Sequence, residues 1–156
     1  MRGMPYVIAA GTLIFTLCGC VPSDPYPQVA VRMNGSAVEA VYYGCDGGGI
    51  QSAWVYTVQP GSVVVDGSEP VIWKVHFTGA GPNTVQIGDA GQVGASVDVS
   101  LAGPLGRDVE YQVGLKLQDG REFDKGFTLR ELEGGKVAYE GKYVAEKEFD
   151  RQTRCK

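Results

Sequence analysis

The chain contains few side chains of the kinds that carry out catalysis. Its one histidine, His76, alternates onto the same strand face as Lys74, a pattern typical of a solvated surface. The sequence has neither a Gly-x-Ser-x-Gly elbow nor a His-Glu-x-x-His motif, and it is poor in the histidine and cysteine ligands that zinc prefers. We therefore expect a protein that is not an enzyme and that holds no metal and no cofactor.

Carboxylates that stand two residues apart are the one arrangement here that resembles catalytic chemistry. On a strand such residues share a face, and two acids about 5–9.5 Å apart can cleave a glycosidic bond. Beside hairpin turns, however, paired charges mostly keep strand edges soluble. We expect surface charges, and an enzyme that uses one such pair remains an alternative. The pairs are Asp108 and Glu110, Glu122 and Asp124, and Glu131 and Glu133.

Aromatic residues are concentrated between positions 42 and 77, and they could serve binding. In the segment around residues 53–57, Trp54 and Tyr56 share one strand face, and Ala53 and Val55 share the other. If the large rings point inward, they belong to the core. If the small residues fill the core, Trp54, Tyr56 and a neighbour such as Tyr42 form an exposed platform that could stack on sugar rings or on a partner protein.

The amino-terminal segment has the charge order of an export signal. Arg2 precedes an apolar run of eleven residues, Val7 to Leu17, and the first acidic residue is Asp24. That run is too short to cross about 30 Å of hydrocarbon as a helix. Because the chain stays uncharged from residue 3 to residue 23, an uncleaved membrane-spanning anchor is the alternative.

The run ends in Leu17-Cys18-Gly19-Cys20, which resembles the lipobox of bacterial lipoproteins. One position departs from that pattern, since Cys18 stands where Ala, Ser or Thr is usual. The resemblance implies cleavage before Cys20, fatty acylation of Cys20, and an extracytoplasmic protein anchored to the bacterial cell membrane by that lipid. Two or three acyl chains hold a protein stably on a bilayer, whereas one does not. The resemblance covers about 20 residues and implies nothing about the rest of the chain.

These features divide the chain into a signal peptide (1–19), a lipidated cysteine with a Pro-rich linker (20–27) and one domain (28–156). The linker holds three prolines, which favour an extended and semi-rigid spacer. Removal of Arg2 leaves 13 basic and 18 acidic side chains, a net charge of −5 from the full chain's −4. Because no run of Lys or Arg occurs, we expect no nucleic-acid partner.

Two cysteines, Cys45 and Cys155, remain after cleavage and lipidation. An even pair in an oxidising compartment predicts a disulfide. Closing a loop of 155 − 45 = 110 residues is worth about 4.7 kcal/mol in the chain-entropy model. The alternative, a redox or nucleophilic Cys45, lacks a nearby histidine and a Cys-x-x-Cys partner.

Alternation with a period of two dominates the rest of the chain and predicts half-buried strands. The clearest row places Val109, Tyr111, Val113, Leu115 and Leu117 on one face. Type I′ hairpin turns are predicted at Asn34-Gly35, Asp66-Gly67 and Asp119-Gly120. Eight to ten short strands favour an all-β fold, either an antiparallel β-sandwich, immunoglobulin-like or similar, or a partly open barrel. The segment Lys142–Gln152 fits either a strand or a short helix.

The sequence thus favours a monomeric, non-catalytic binding module of the bacterial envelope. Its ligand would be a cell-wall saccharide or an envelope protein. A first alternative is a lipid-tethered inhibitor or immunity-type protein for an exported enzyme, which would use a protruding loop such as Cys45–Ser52. A second is an envelope enzyme that works through a carboxylate pair.

Overall fold

The computed structural model describes residues 29–44, 48–59 and 69–152, and within them ten strands form a β-sandwich. Two five-stranded sheets pack face to face, and every neighbouring pair of strands is antiparallel. The described strands do not close into a barrel, so the sandwich prediction is confirmed and the barrel alternative is not. No helix in these ranges is long and apolar enough to cross a bilayer.

Each sheet combines strands that are distant in the sequence. The first sheet holds β1 (Val29–Asn34), β2 (Ala37–Tyr42), β5 (Thr84–Gln86), β9 (Lys136–Tyr139) and β10 (Lys142–Ala145), in the order β10-β9-β1-β2-β5. The second sheet holds β3 (Ile50–Thr57), β4 (Val71–Phe77), β6 (Ala95–Val99), β7 (Tyr111–Leu117) and β8 (Glu122–Phe127), in the order β6-β4-β3-β7-β8. The described residues also form two short helices: α1 (Leu129–Leu132) lies between β8 and β9, and α2 (Glu146–Gln152) follows β10.

The core lies between the sheets, and the alternating residues of the second sheet fill much of it. On β7, Val113, Leu115 and Leu117 are 0% exposed, as the alternation predicts. Val109, predicted in the same row, precedes the strand and is exposed. Burial of this row removes a continuous apolar surface from water, at roughly 25 cal/mol per Å².

Two predicted hairpins form where expected but with other turn types. Asn34 pairs with Ala37, so Gly35 and Ser36 are the central residues, and of these Gly35 alone has a positive φ, 61°. That pattern is typical of type II′. In the β7–β8 connection Leu117 donates its N–H to the Arg121 carbonyl at 2.8 Å, which leaves a three-residue loop. In this loop Gly120 has a φ of 89° and donates its N–H to the Leu117 carbonyl at 3.0 Å. A three-residue loop with glycine in the left-handed region is typical of a type I turn followed by a bulge. The third predicted turn, at Asp66-Gly67, lies outside the described residues.

The segment Lys142–Gln152 contains both a strand and a helix, β10 followed by α2. Helix α2 covers part of the outer face of the first sheet through Phe149, which is 0% exposed. The Phe149 ring meets Tyr43 and Tyr139 edge-on, with ring centroids 4.7 and 5.0 Å apart. One outer face of the sandwich is therefore partly covered by the chain itself.

Candidate functional site

The outer face of the second sheet carries a half-buried tryptophan. Ala53 and Val55 are 0% exposed and point into the core, so Trp54 points outward. Trp54 pairs with Gly114 on β7, and a methyl group at Gly114 would overlap the ring atoms Cε2, Cζ2 and Nε1 of Trp54. The indole therefore lies across the bare backbone of β7. This close packing is possible because Gly114 has no side chain.

An open groove of about 490 Å³ runs beside this indole. Its wall combines an aromatic ring and an aliphatic side chain with hydroxyl, amide, ammonium and carboxylate groups. Such a surface suits a ligand that has both an apolar face and several hydrogen-bonding groups. The lining residues are Gln51, Ser52, Trp54, Val71, Lys74, Lys116 and Glu122.

Two lysines face the groove from either side of β3. Lys74 lies opposite Trp54 on β4, and Lys116 lies opposite Ser52 on β7. The Lys116 Nζ is 3.3 Å from Oε1 of Glu122, so its charge is partly neutralised. Lys74 makes no ion pair within the part of the chain that the structure describes. Among the described residues that line the groove, Lys74 is thus the cation available to a ligand.

Tyr56 lies on the same outer face as Trp54 but is covered. It is 7% exposed, and the pKa of its phenol is raised above the usual value by burial first and then by the negative charges of Asp124 and Glu69. The pKa of the Asp124 carboxyl is itself raised, by burial and by the neighbouring Glu122. Tyr56 therefore supports the floor of this face and offers little ring surface to a ligand.

Tyr42, the third residue of the predicted platform, lies elsewhere. It is 3% exposed and belongs to the core, where its ring stacks on Phe123 with centroids 6.2 Å apart. Its hydroxyl accepts a hydrogen bond from Nη2 of Arg121 at 3.0 Å. Because Tyr42 belongs to the first sheet and Trp54 to the outer face of the second, the structure separates them. The predicted platform reduces to Trp54, with Tyr56 beneath the same face.

The single histidine has an acidic partner that the sequence pattern did not reveal. His76 lies on the outer face of β4, and its Nδ1 is 2.9 Å from Oδ1 of Asp98 on β6. The two residues are 22 positions apart, so only the pairing of β4 with β6 brings them together. Both side chains are exposed to solvent.

The carboxylate pairs are not equivalent in the structure. Glu122 and Asp124 share the outer face of β8, as expected for a strand. Glu131 and Glu133 do not lie on a strand, since Glu131 is in α1 and Glu133 caps its end. Most of these acids pair with bases: Asp108 with Arg130, Glu122 with Lys116, Glu131 with Lys136, and Glu133 with Arg107.

The groove contains residues that sequence reasoning did not select. Alternation along the strand predicts a solvated face for Lys74 and assigns no role to Lys116 or Gly114. An isolated glycine inside an alternating strand signals a close approach by another group, and Gly114 was therefore the available clue. Among the described residues no cluster of histidine, cysteine or acidic side chains could hold a metal ion.

The predicted cysteine sites Cys20, Cys45 and Cys155 lie outside the described residues. Part of the loop Cys45–Ser52 is described, and its residues from Ile50 onward belong to β3. Those residues are therefore held in the second sheet and do not protrude.

Comparison with known proteins gives no relative for this chain: no family model, no curated protein and no solved structure matches it.

Proposed function

We propose that this chain is a lipid-anchored protein of the bacterial envelope that binds a saccharide without catalysis, through the groove beside Trp54. The observation that carries the proposal is the indole laid across Gly114 at the edge of an open, polar groove. Sugar rings have an apolar face of C–H groups and a rim of hydroxyls. A half-buried ring that borders hydrogen-bonding groups matches both parts of such a ligand.

The packing of the indole supports a binding role because it fixes the ring in advance. A side chain already ordered against β7 loses little further conformational entropy when a ligand stacks on it. Ser52 and Gln51 lie close by in the groove wall and supply a hydroxyl and an amide for sugar hydroxyls. The opposite outer face, of the first sheet, is partly occupied by α2.

The anchoring part of the proposal rests on the segment Leu17–Cys20. We also propose that Cys45 and Cys155, the two thiols that remain after cleavage and lipidation, form a disulfide. Tyr43 and Phe149 are in ring contact, with centroids 4.7 Å apart. Cys45 follows Tyr43 by two residues, and Cys155 follows the end of α2 by three. Because an extended chain spans about 3.3–3.6 Å per residue, these short separations along the chain are compatible with the proposed disulfide.

The binding proposal is tested by titrating the full chain, purified in detergent, against a panel of cell-wall glycans while its tryptophan emission is recorded. Trp54→Ala should abolish binding and Trp54→Phe should retain part of it, because a phenyl ring still stacks. Unfolding curves of both variants check the fold. Full binding by a folded Trp54→Ala variant would overturn the proposal.

The anchor is tested by mass spectrometry of the protein from the membrane fraction. We expect a mature chain that begins at Cys20 and carries acyl mass, and a Cys20→Ala variant that stays an uncleaved precursor. A mature wild-type chain without acyl mass contradicts this location.

Two alternative functions predict other outcomes. A tethered inhibitor would copurify in a tight complex with one exported enzyme, and Trp54→Ala would leave that complex intact. An envelope enzyme would turn over wall polymers and lose that activity in Glu122→Gln or Asp124→Asn, the pair nearest the groove.

A further inference from the structure

We propose that the saccharide bound beside Trp54 is acidic, and that its carboxylate or phosphate group pairs with Lys74. This inference rests on the proposed function, since it specifies the ligand of that same groove. It adds a charge requirement that stacking on the indole does not impose by itself.

The position of Lys74 is the first argument. Its backbone pairs directly with that of Trp54, and the two side chains project from the same face of adjacent strands. Side chains paired in this way lie about 5 Å apart at their Cβ atoms. Because the indole extends over β7, Lys74 borders the same groove from the other side of β3. A substituent on a sugar stacked on the indole would lie within reach of the Lys74 ammonium.

The charges around the groove are the second argument. Lys74, Lys116 and Glu122 line it, which leaves two positive charges against one negative. Two further acids, Asp98 on β6 and Asp124 on β8, lie on the same outer face but do not line the groove, and Asp98 is hydrogen-bonded to His76 at 2.9 Å. An excess of positive charge in a groove of a chain whose net charge is −4 is a local feature that favours an anion.

Lys116 has a different role from Lys74. Its ammonium is held 3.3 Å from Oε1 of Glu122, so an anionic ligand would have to compete with that carboxylate. Glu122 therefore opposes an acidic ligand in two ways, by repelling it and by occupying Lys116. Removing the charge of Lys74 should therefore weaken binding of an acidic ligand, whereas removing the charge of Glu122 should strengthen it.

The experiment compares matched glycan pairs with the full chain in detergent. The probes are oligogalacturonate and its methyl ester, and dextran phosphate and dextran. We expect at least one acidic member to bind about fivefold or more tightly than its neutral partner, with an affinity that falls as salt is raised. The two pairs distinguish a carboxylate from a phosphate as the recognised group.

Variants assign the effect to the groove. Lys74→Gln should weaken binding of the acidic glycan about fivefold, and Glu122→Gln should strengthen it. Lys142→Gln removes the same charge from the exposed edge of the first sheet and should change nothing.

The possible failures are distinguishable. Equal affinity for acidic and neutral members, with binding still lost in Trp54→Ala, overturns the charge inference and leaves the saccharide proposal standing. An unchanged affinity in Lys74→Gln overturns the assignment to Lys74. Absence of binding to all four polymers overturns the charge inference, and absence of binding to the cell-wall glycan panel as well overturns the saccharide proposal.

Discussion

At the scale of single residues, the contact between Trp54 and Gly114 defines the groove. An outward tryptophan on a flat sheet would be mobile, but here the missing side chain at Gly114 lets the indole settle on the backbone. The proposed ligand surface thus depends on the missing side chain of Gly114 as well as on the indole of Trp54.

We predict that Gly114→Ala displaces the indole and weakens glycan binding about tenfold or more, because a methyl group and the ring cannot occupy the same space. The measurement is glycan titration together with acrylamide quenching of Trp54. Gly126→Ala is the matched control, since a methyl group there would meet nothing closer than the Tyr111 carbonyl oxygen at 3.9 Å. Equal binding by both variants would contradict the packing role of Gly114.

A second prediction concerns Asp124, whose pKa is raised in the folded protein by burial and by Glu122. A raised pKa means that the folded state favours the protonated carboxyl, so this stabilisation is present below the ordinary pKa of 3.8 and is lost as pH rises through the raised value. Asp124→Asn should therefore increase the unfolding free energy at pH 7. Denaturation curves measured across pH should show that the added stability of Asp124→Asn disappears in acid. Added stability that does not change with pH would argue against the raised pKa of Asp124 as its cause.

The residue scale also shows where sequence reasoning reached its limit. The faces of β3 and β7 followed from alternation, because burial of one face enforces a period of two. Alternation does not say which of two faces is the inner one. Trp54 and Tyr42 are both strand aromatics, and only the packing of the two sheets shows that Tyr42 lies on an inner face and Trp54 on an outer one.

At the scale of elements, helix α2 has the clearest energetic role. Its seven residues are too few for a stable isolated helix, so it depends on packing through Phe149. The sequence left Lys142–Gln152 open between strand and helix because the segment is divided between both.

We predict that Phe149→Ala detaches α2 from the first sheet at a cost of about 3–5 kcal/mol, the usual penalty for removing a buried aromatic ring. Chemical denaturation gives the free energy of unfolding. Lys147→Ala, at an exposed position on the same helix, should change it by less than about 0.5 kcal/mol. Similar losses in the two variants would show that helix formation, and not ring burial, sets the stability.

The turns illustrate a second limit of the sequence. Asn-Gly and Asp-Gly correctly located the β1–β2 and β7–β8 hairpins, but not their geometry. Because Asn34 pairs with Ala37, the centre of the β1–β2 turn is Gly35-Ser36, one residue later than predicted. The β7–β8 turn has one residue more than a two-residue turn, and Gly120 therefore lies in a bulge. Register is set by burial across the whole sheet, which a dipeptide does not report.

At the scale of the whole molecule, the sandwich leaves its two outer faces unequal. The first sheet is partly covered by α2, whereas the second presents the groove with Lys74 and Trp54. The sequence predicted the sandwich because its strands alternate. It could not predict this asymmetry, which depends on where the last eleven described residues pack.

A prediction at this scale concerns the proposed bridge between Cys45 and Cys155. Cys45→Ala should cost about 2–5 kcal/mol of stability, and adding Cys155→Ala should cost nothing further because the bridge is already absent. Denaturation in the presence and absence of reductant measures these stability changes, and a thiol titration of the unfolded chain counts the free cysteines. Two free thiols in the unreduced wild type would refute the bridge.

The place of β1 in its sheet has a mechanical consequence. β1 lies at the centre of the first sheet, hydrogen-bonded to β2 on one side and to β9 on the other. Any tension on the amino-terminal segment enters the fold at Val29 and runs along this strand, so both ladders are loaded in shear and share the force. A molecule held between a membrane and a wall polymer would thus bear a pulling load at a strand that is hydrogen-bonded along both edges.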